Sequence, residues 1–455
     1  MGIGATIGAG IFVTAGQVAL TAGPGVILSF VIAGCGCALA GLCYAEFAAL
    51  APTGGSAYSY AYSTMGELLA WIVGWDLVLE YAFAGSIVAV EWSLNLVALL
   101  EALGVQVPRW LVDLEIPIAA NYVVHVNFIT MLIISIVTYI LILGVKESAR
   151  ANAVMVVVKV GVVLLVICAG VWFVVPANWL NAPGAPAGLM PNGFAAVMTG
   201  AAVVFFSYIG FDAVSTHAEE TVAPGRNLPL GILGSLVICT VLYIGVAVVL
   251  IGMVPWPQMP REAPVVNAFI QLGGWVARIA GIVIGIGAIA GMTSVILITF
   301  SGQARIFRAM ARDGLLPRRI FAVQHPRYHT PHRSLILTGA VACAIASLVP
   351  RQELFHMISI GTLMAFAIVC AAVLVLRKAH PEFRRPFRCP ALELIAPLGI
   401  AVNIYMMSSL PPDAWLRLGV WMVIGLVLYF SYGRVHSEVA RHRAPPPQTG
   451  PEPLW

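Results

Sequence analysis

Runs of about twenty apolar residues with almost no charge recur along the whole chain. A helix rises about 1.5 Å per residue and a bilayer's hydrocarbon core is about 30 Å thick, so each run has the length of one crossing. Twelve such runs are found, at 3–20, 26–50, 67–100, 126–145, 153–175, 195–216, 228–254, 270–300, 334–349, 356–376, 391–410 and 415–432. Stretches such as Val154 to Val175 show no alternation of apolar and polar positions, which excludes the two-residue period of a membrane barrel. The pattern predicts an all-α polytopic membrane protein of twelve transmembrane helices.

Two runs are interrupted in corresponding ways. The first contains Gly8, Ala9 and Gly10, and the sixth contains Ser207, Gly210 and Asp212 within FFSYIGFDA. Gly8 and Gly210 stand 202 positions apart, and Gly66 before the third run stands 207 before Gly273. A near-constant offset predicts two five-helix halves, about 1–175 and 195–377, followed by extra helices at 391–433 and a proline-rich tail at 434–455. Gly4 and Gly8 also fit a small-residue packing face, but the matching interruption in the sixth run favours a transport site.

At a break in mid-membrane one half-helix presents free N–H groups and a positive dipole end, while the other presents free carbonyls. An amino acid needs both. Its carboxylate fits the amides of Ile7, Gly8, Ala9 and Gly10, where glycine allows close approach. Its ammonium fits the carbonyls of Phe206, Ser207 and Ile209, and Phe206, Tyr208 and Phe211 are available to wall the side chain.

Composition agrees with a chain dissolved in lipid, at 60 % hydrophobic and 10 % charged residues, where a soluble domain carries about a quarter charged. With the loops assigned alternately, eighteen Lys and Arg fall on one side and five on the other, leaving Lys159 inside a span. That bias places both termini in the cytoplasm of a bacterial-type inner membrane. The formal charge of +4 follows from this topology and calls for no nucleic-acid partner. The chain opens inside an apolar segment with no charged leader, which is not the pattern of a signal peptide. Of eight cysteines, seven lie in spans and Cys389 lies beside a cytoplasmic loop, where disulfides are unexpected.

Five ordered motifs, GIGATIGAGIF (2–12), CYAEFAALAPTGGSAYSYAY (43–62), GWDLVLEYA (74–82), FFSYIGFDAVSTHAEE (205–220) and GMTSVILITFSGQARIFRAMARDGLLP (291–317), resemble the amino acid, polyamine and organocation permease superfamily. They look closest to its cationic amino acid transporter branch and the bacterial relatives of that branch. The resemblance implies a five-plus-five inverted repeat, alternating access, and substrate held between the first and sixth helices. It also implies that Met292, in GMTSV, contributes to the side-chain subsite. Two positions depart from the family pattern. Met1 stands only seven residues ahead of Gly8, where the family has a cytoplasmic half-helix and a polar leader, and Ala9 replaces the usual Thr or Ser.

Ionisable residues inside a membrane cost several kcal/mol unless partnered, so each is a functional candidate. Lys159, alone in the fifth run, is expected to gain and lose a proton, as lysine at this position does in the superfamily members it resembles. Snorkelling toward the interface is the simpler alternative. Glu80 and Asp212 are candidate acid partners for Lys159. Glu91 lies three helical turns past Glu80, on about the same face, with no evident role. Glu46, Glu219 and Glu220 are expected to pair with loop arginines, and Arg305, Arg308 and Arg312 to meet lipid phosphates or those acids.

An intramembrane enzyme needs a nucleophile and base or metal ligands within the spans, and His125, His217 and His356 show no such constellation. No ATP-binding loop and no appended signalling domain is seen in the sequence, so the driving force is expected to be an ion gradient. The reading is a proton-coupled amino acid transporter without cofactor, metal or obligate protein partner, meeting only its amino acid, the proton and membrane lipids. Methionine at 292 offers no acceptor to a cationic head, so small neutral substrates such as alanine are expected. Cationic amino acids or polyamines, exchange, and a non-transporting sensor are the alternatives.

Overall fold

The computed structural model describes residues 2–50, 56–119, 122–144, 149–212, 214 and 221–438. The first run folds as a five-residue helix α1 (Gly2–Thr6), a bend at Ile7 and Gly8, and a π-helical turn (Gly10–Thr14) leading into α2 (Ala15–Ala22). A turn at Gly23–Gly25 reverses the chain into α3 (Val26–Leu50). A short helix α4 (Ser56–Thr64) then leads to α5 (Glu67–Ala102), α6 (Arg109–Val112), α7 (Phe128–Ile142), α8 (Ala149–Val171) and α9 (Ala177–Leu180).

The sixth run also breaks: α10 (Gly193–Val204) tightens into a 3-10 turn (Phe205–Tyr208), after which Ile209 turns extended. Then come α11 (Pro224–Met253), α12 (Pro264–Gln271), α13 (Trp275–Arg312), α14 (Arg318–Phe321), α15 (His332–Leu348), α16 (Arg351–Ala379), α17 (Leu392–Ser408) and α18 (Pro412–Leu428). Every apolar run of the sequence is thus occupied by helix. Among the described residues, seven helical stretches are long and apolar enough to cross a membrane, and four shorter apolar helices lie between them. The molecule is a predominantly helical, multi-pass membrane protein.

The expectation of an all-α chain needs one correction. Strands β1 (Leu114–Ala119) and β2 (Tyr122–Val126) form an antiparallel hairpin between α6 and α7, with Glu115 opposite His125. Strands of five and six residues fall below any search for twenty-residue runs, and this hairpin lies outside the apolar segments.

The two longest helices, α5 with 36 residues and α13 with 38, pack against each other through the centre. Both begin after a glycine in a left-handed conformation, Gly66 at φ 90° and Gly274 at φ 80°. Small residues let these helices approach: a Cβ at Gly302 would strike the Tyr81 ring, and one at Gly85 the Phe300 ring. At some 54 Å, a 36-residue helix exceeds the hydrocarbon thickness and must tilt or project beyond it.

Candidate functional site

The two broken helices meet at their breaks, and glycine makes the meeting possible. Gly210 adopts φ 115°, and a Cβ there would lie 2.7 Å from the carbonyl carbon and oxygen of Ala5. A Cβ on Gly10 would come inside 3.0 Å of Ser207 Cα, a backbone atom that no rotamer change can move. Hydroxyls lock the junction. Thr14 Oγ1 donates to the Gly10 carbonyl at 2.6 Å and lies 2.6 Å from Ser207 Oγ. The Tyr243 hydroxyl of α11 bridges the carbonyls of Thr6 and Ser207 at 2.8 and 2.7 Å.

Beside this junction lies a cavity of about 40 Å³, room for roughly three water molecules. The first break lines it with Ala5, Thr6, Gly8, Ala9 and Gly10, and the second with Phe206, Ile209, Gly210 and Asp212. Glu80, Tyr81, Ala84 and Val88 of α5 and Val295, Ile298 and Thr299 of α13 complete the wall. The amides of Gly8 to Gly10 open the second half-helix, where N–H groups lack intrahelical acceptors. The end of α1 and the end of the 3-10 turn bring carbonyls to the same junction, where Thr6 accepts from Tyr243 and Phe206 from the Ile209 amide at 3.2 Å. Both breaks thus bring backbone polar groups to the cavity, while α5 and α13 contribute mostly apolar residues to its wall, with Glu80 among them.

Several residues expected at the site lie elsewhere. Ile7 is fully buried outside the lining, and its amide already donates to the Ile3 carbonyl at 2.9 Å, closing the last turn of α1. The Ser207 carbonyl is engaged by Tyr243, and Ser207 faces Gly10 and Thr14 rather than the cavity. Tyr208 and Phe211 are also off the lining. Tyr208 donates to the Phe30 carbonyl at 2.9 Å, and Phe211 packs on Tyr44 and Phe366. Phe206 within the 3-10 turn and Ile209 just beyond it face the cavity, whereas Tyr208 at the end of the turn and Phe211 past Gly210 pack away from it. Met292 is fully buried but not in the wall. Val295 and Thr299 follow it by one and two turns on the same stripe of α13, so Met292 sits one turn, about 4.5 Å, past the cavity.

Lys159 is 1 % exposed and does not snorkel. Its ammonium donates to the Gly4 carbonyl at 2.6 Å and to Ser294 Oγ at 3.2 Å, tying α8 to the first half-helix and to α13. The Lys159 stem runs past Gly291 at van der Waals distance. Glu80 is not its acid partner, since neither Glu80 oxygen has a hydrogen-bond partner among the described residues. Asp212 accepts from the Gly210 amide at 3.0 Å, steadying the second break.

Glu91 acquires an explanation. Its fully buried carboxylate receives the Arg351 guanidinium of α16 in a two-pronged pair, one contact at 2.8 Å. Arg351 Nη1 also donates to the Arg261 carbonyl at 3.0 Å, which accepts from Gln17 of α2 at 2.8 Å. Four segments are thereby joined at one end of the molecule. At the other end, Glu46 pairs with Arg377 and Arg385, as expected of an acid at a helix end, and accepts from the Cys389 amide at 2.7 Å. Arg312 lies 3.9 Å from Asp313. Glu219, Glu220 and His217 lie outside the described residues. His125 pairs with Asp113 at 2.7 Å on the exposed hairpin, and His356 is buried at the start of α16.

Tyr81, Thr6, Val295, Ile298 and Thr299 line the cavity without having been singled out in the sequence. Tyr81 adjoins Glu80, and Val295 and Thr299 continue the stripe of Met292, so helical spacing would have reached them.

A multi-pass helical protein with a small polar-ended cavity at two abutting helix breaks is built as a membrane transporter. The profile described as amino acid permease matches residues 1–428, and the chain belongs to that family, within the amino acid, polyamine and organocation permeases. The branched-chain amino acid permease of Bacillus subtilis (strain 168) is 43 % identical over 441 residues, covering 96 % of this chain and 92 % of the relative. The methylthioribose transporter of the same organism is 44 % identical over 438 residues, with 96 % and 92 % covered. Cationic amino acid transporter 9, chloroplastic, of Arabidopsis thaliana is 35 % identical over 507 residues, with 96 % and 87 % covered.

Proposed function

We propose that the protein is a proton-coupled carrier of small neutral amino acids in a bacterial inner membrane, with twelve crossings, cytoplasmic termini and two inverted five-helix repeats. The single observation that supports the substrate class is the cavity lined by both breaks, Gly8, Ala9 and Gly10 from one and Phe206, Ile209 and Gly210 from the other. The carboxylate sits on the amides of Gly8, Ala9 and Gly10, and the ammonium on the carbonyls of Phe206 and Ile209. Ala84, Val88, Val295 and Ile298, with the Phe206 ring, receive the side chain. These groups are apolar, and burying a lysine or arginine head among them without a partner costs several kcal/mol. The name of the branched-chain permease relative supports the neutral reading. The repeat is supported by the matching glycine starts of α5 and α13 and by the paired breaks.

Lys159 is the coupling residue: its charged form holds the Gly4 carbonyl and Ser294, and loss of its proton weakens both bonds and frees the first half-helix. The test is uptake into proteoliposomes over a panel of amino acids and methylthioribose, with and without an inward proton gradient. Alanine and valine should accumulate with the gradient, and Lys159→Gln should bind them without accumulating them. Gradient-driven accumulation by Lys159→Gln would end the coupling role.

A cationic substrate is the second reading, favoured by Glu80 and Asp212 in the wall and by the cationic transporter relatives. Tight arginine uptake by the wild type would select it.

A further inference from the structure

Helix α5 carries a second buried acid that the mechanism above does not use. Asp76 lies four residues before Glu80, so both carboxyls leave the helix on one face. Asp76 is 0 % and Glu80 1 % exposed, and none of their four oxygens has a hydrogen-bond partner among the described residues. Helix α16 shapes itself to the pair. A Cβ on Gly361 would lie 3.3 Å from Asp76 Oδ1, and the Thr362 hydroxyl stands beside Glu80.

Asp212 shares the cavity wall with Glu80, and neither Asp76 oxygen has a hydrogen-bond or ion-pair partner among the described residues. The facing helices present Gly361 and Thr362 from α16 and Gln303 from α13, whose amide reaches the Val78 carbonyl at 3.5 Å, and none of these titrates. Two ionised carboxylates cannot share such a place: each loses its hydration and they repel each other. At most one of the two carries charge at a time. One end of the α5–α16 seam is closed by the Glu91–Arg351 pair. Asp76 lies toward the opposite end of α5, about 6 Å beyond Glu80, which is the cytoplasmic side in the orientation proposed above.

We propose that Asp76 is a proton relay between the cavity acid Glu80 and the cytoplasmic side. This rests on the proton-coupled reading. In the step, the Glu80 carboxylic acid gives its proton to a bridging water, which passes one of its own to the Asp76 carboxylate, leaving Glu80 ionised, Asp76 neutral and the water regenerated. Glu80 ionises at the cavity only while Asp76 holds the proton, so charge is never doubled on the pair.

The test compares wild type, Asp76→Asn and Asp76→Glu in proteoliposomes with radiolabelled alanine, after each is shown to be monodisperse. Counterflow exchanges substrate with no net proton movement, whereas a gradient of about one pH unit drives about tenfold accumulation at one proton per substrate. Asp76→Asn is expected to keep counterflow, to lose accumulation and to flatten the pH profile, and Asp76→Glu to restore both. Full accumulation with an unchanged pH profile in Asp76→Asn overturns the relay. So does a parallel loss of counterflow and accumulation in a folded variant, which assigns Asp76 to architecture. Wild type that exchanges alanine but ignores the gradient overturns proton coupling itself.

Discussion

Gly8 and Gly10 stand two residues apart on the same break yet meet different neighbours, which separates packing from the site. The three nearest atoms to a Cβ on Gly8 would be Val295 side-chain carbons, the closest at 2.6 Å, so relief takes a shift of one side chain and no movement of facing backbone. A Cβ on Gly10 would overlap Ser207 Cα, which Thr14 and Tyr243 hold in place, so relief requires the breaks to part. Overpacking of this kind costs about 1–3 kcal/mol. At about 1.4 kcal/mol per tenfold, a middle value of about 2 kcal/mol predicts roughly a thirtyfold weaker apparent affinity for Gly10→Ala. Gly8→Ala should change it by no more than about threefold, within the cost of a side-chain readjustment. Concentration-dependent alanine uptake in proteoliposomes measures both, with thermal unfolding as the control for folding. Equal affinities for the two variants, or a normal Gly10→Ala, would refute the claim that the breaks are in load-sharing contact at the site.

Met292→Ser should leave substrate selectivity unchanged, because the residue lies one turn off the cavity, while Ile298→Ala should widen the range toward larger side chains; competition uptake decides, and a selectivity change in Met292→Ser would return that residue to the wall. Glu91→Gln strands the Arg351 guanidinium and should destabilise the protein by about 2–3 kcal/mol, less than for a fully buried pair since Arg351 is 24 % exposed, and an unchanged unfolding midpoint would contradict this. Asp313, just beyond the end of α13, accepts from Tyr58 at 2.7 Å, and burial holds its carboxyl above its ordinary 3.8. An acid raised in this way binds its proton more tightly when folded, so stability falls as pH rises from 3.8 through the raised value and is level above it. Asp313→Asn keeps an acceptor for Tyr58 and removes that slope, so its advantage over wild type in thermal unfolding should grow across that interval, and a constant difference would contradict the burial.

The helices were legible because hydrophobic length is a one-dimensional property: α3, α8 and α11 each coincide with an apolar run to within a few residues. The breaks were legible too, since Gly10 and Gly210 mark places where no side chain fits. What the sequence left unresolved is direction around each helix. Tyr208 and Phe211 stand close to Phe206 in the sequence, but Tyr208 turns to the Phe30 carbonyl and Phe211, beyond the turn, to Tyr44 and Phe366. Met292 had the right stripe and the wrong turn. Glu91 had no visible partner because Arg351 lies 260 residues away, and only the antiparallel packing of α5 on α16 joins them. Asp76 passed unnoticed in GWDLVLEYA because its isolation is a property of its surroundings, Gly361 among them.

The central claim is that amides at the first break hold a carboxylate. Competition of radiolabelled alanine uptake by alanine and by ethylamine, its decarboxylated counterpart, tests it most directly. Losing the bonds from the amides of Gly8 to Gly10 should cost ethylamine about 1.5–3 kcal/mol per charge-assisted bond, and so at least tenfold in competition. Ethylamine competing as well as alanine would show that the carboxylate is not bound there.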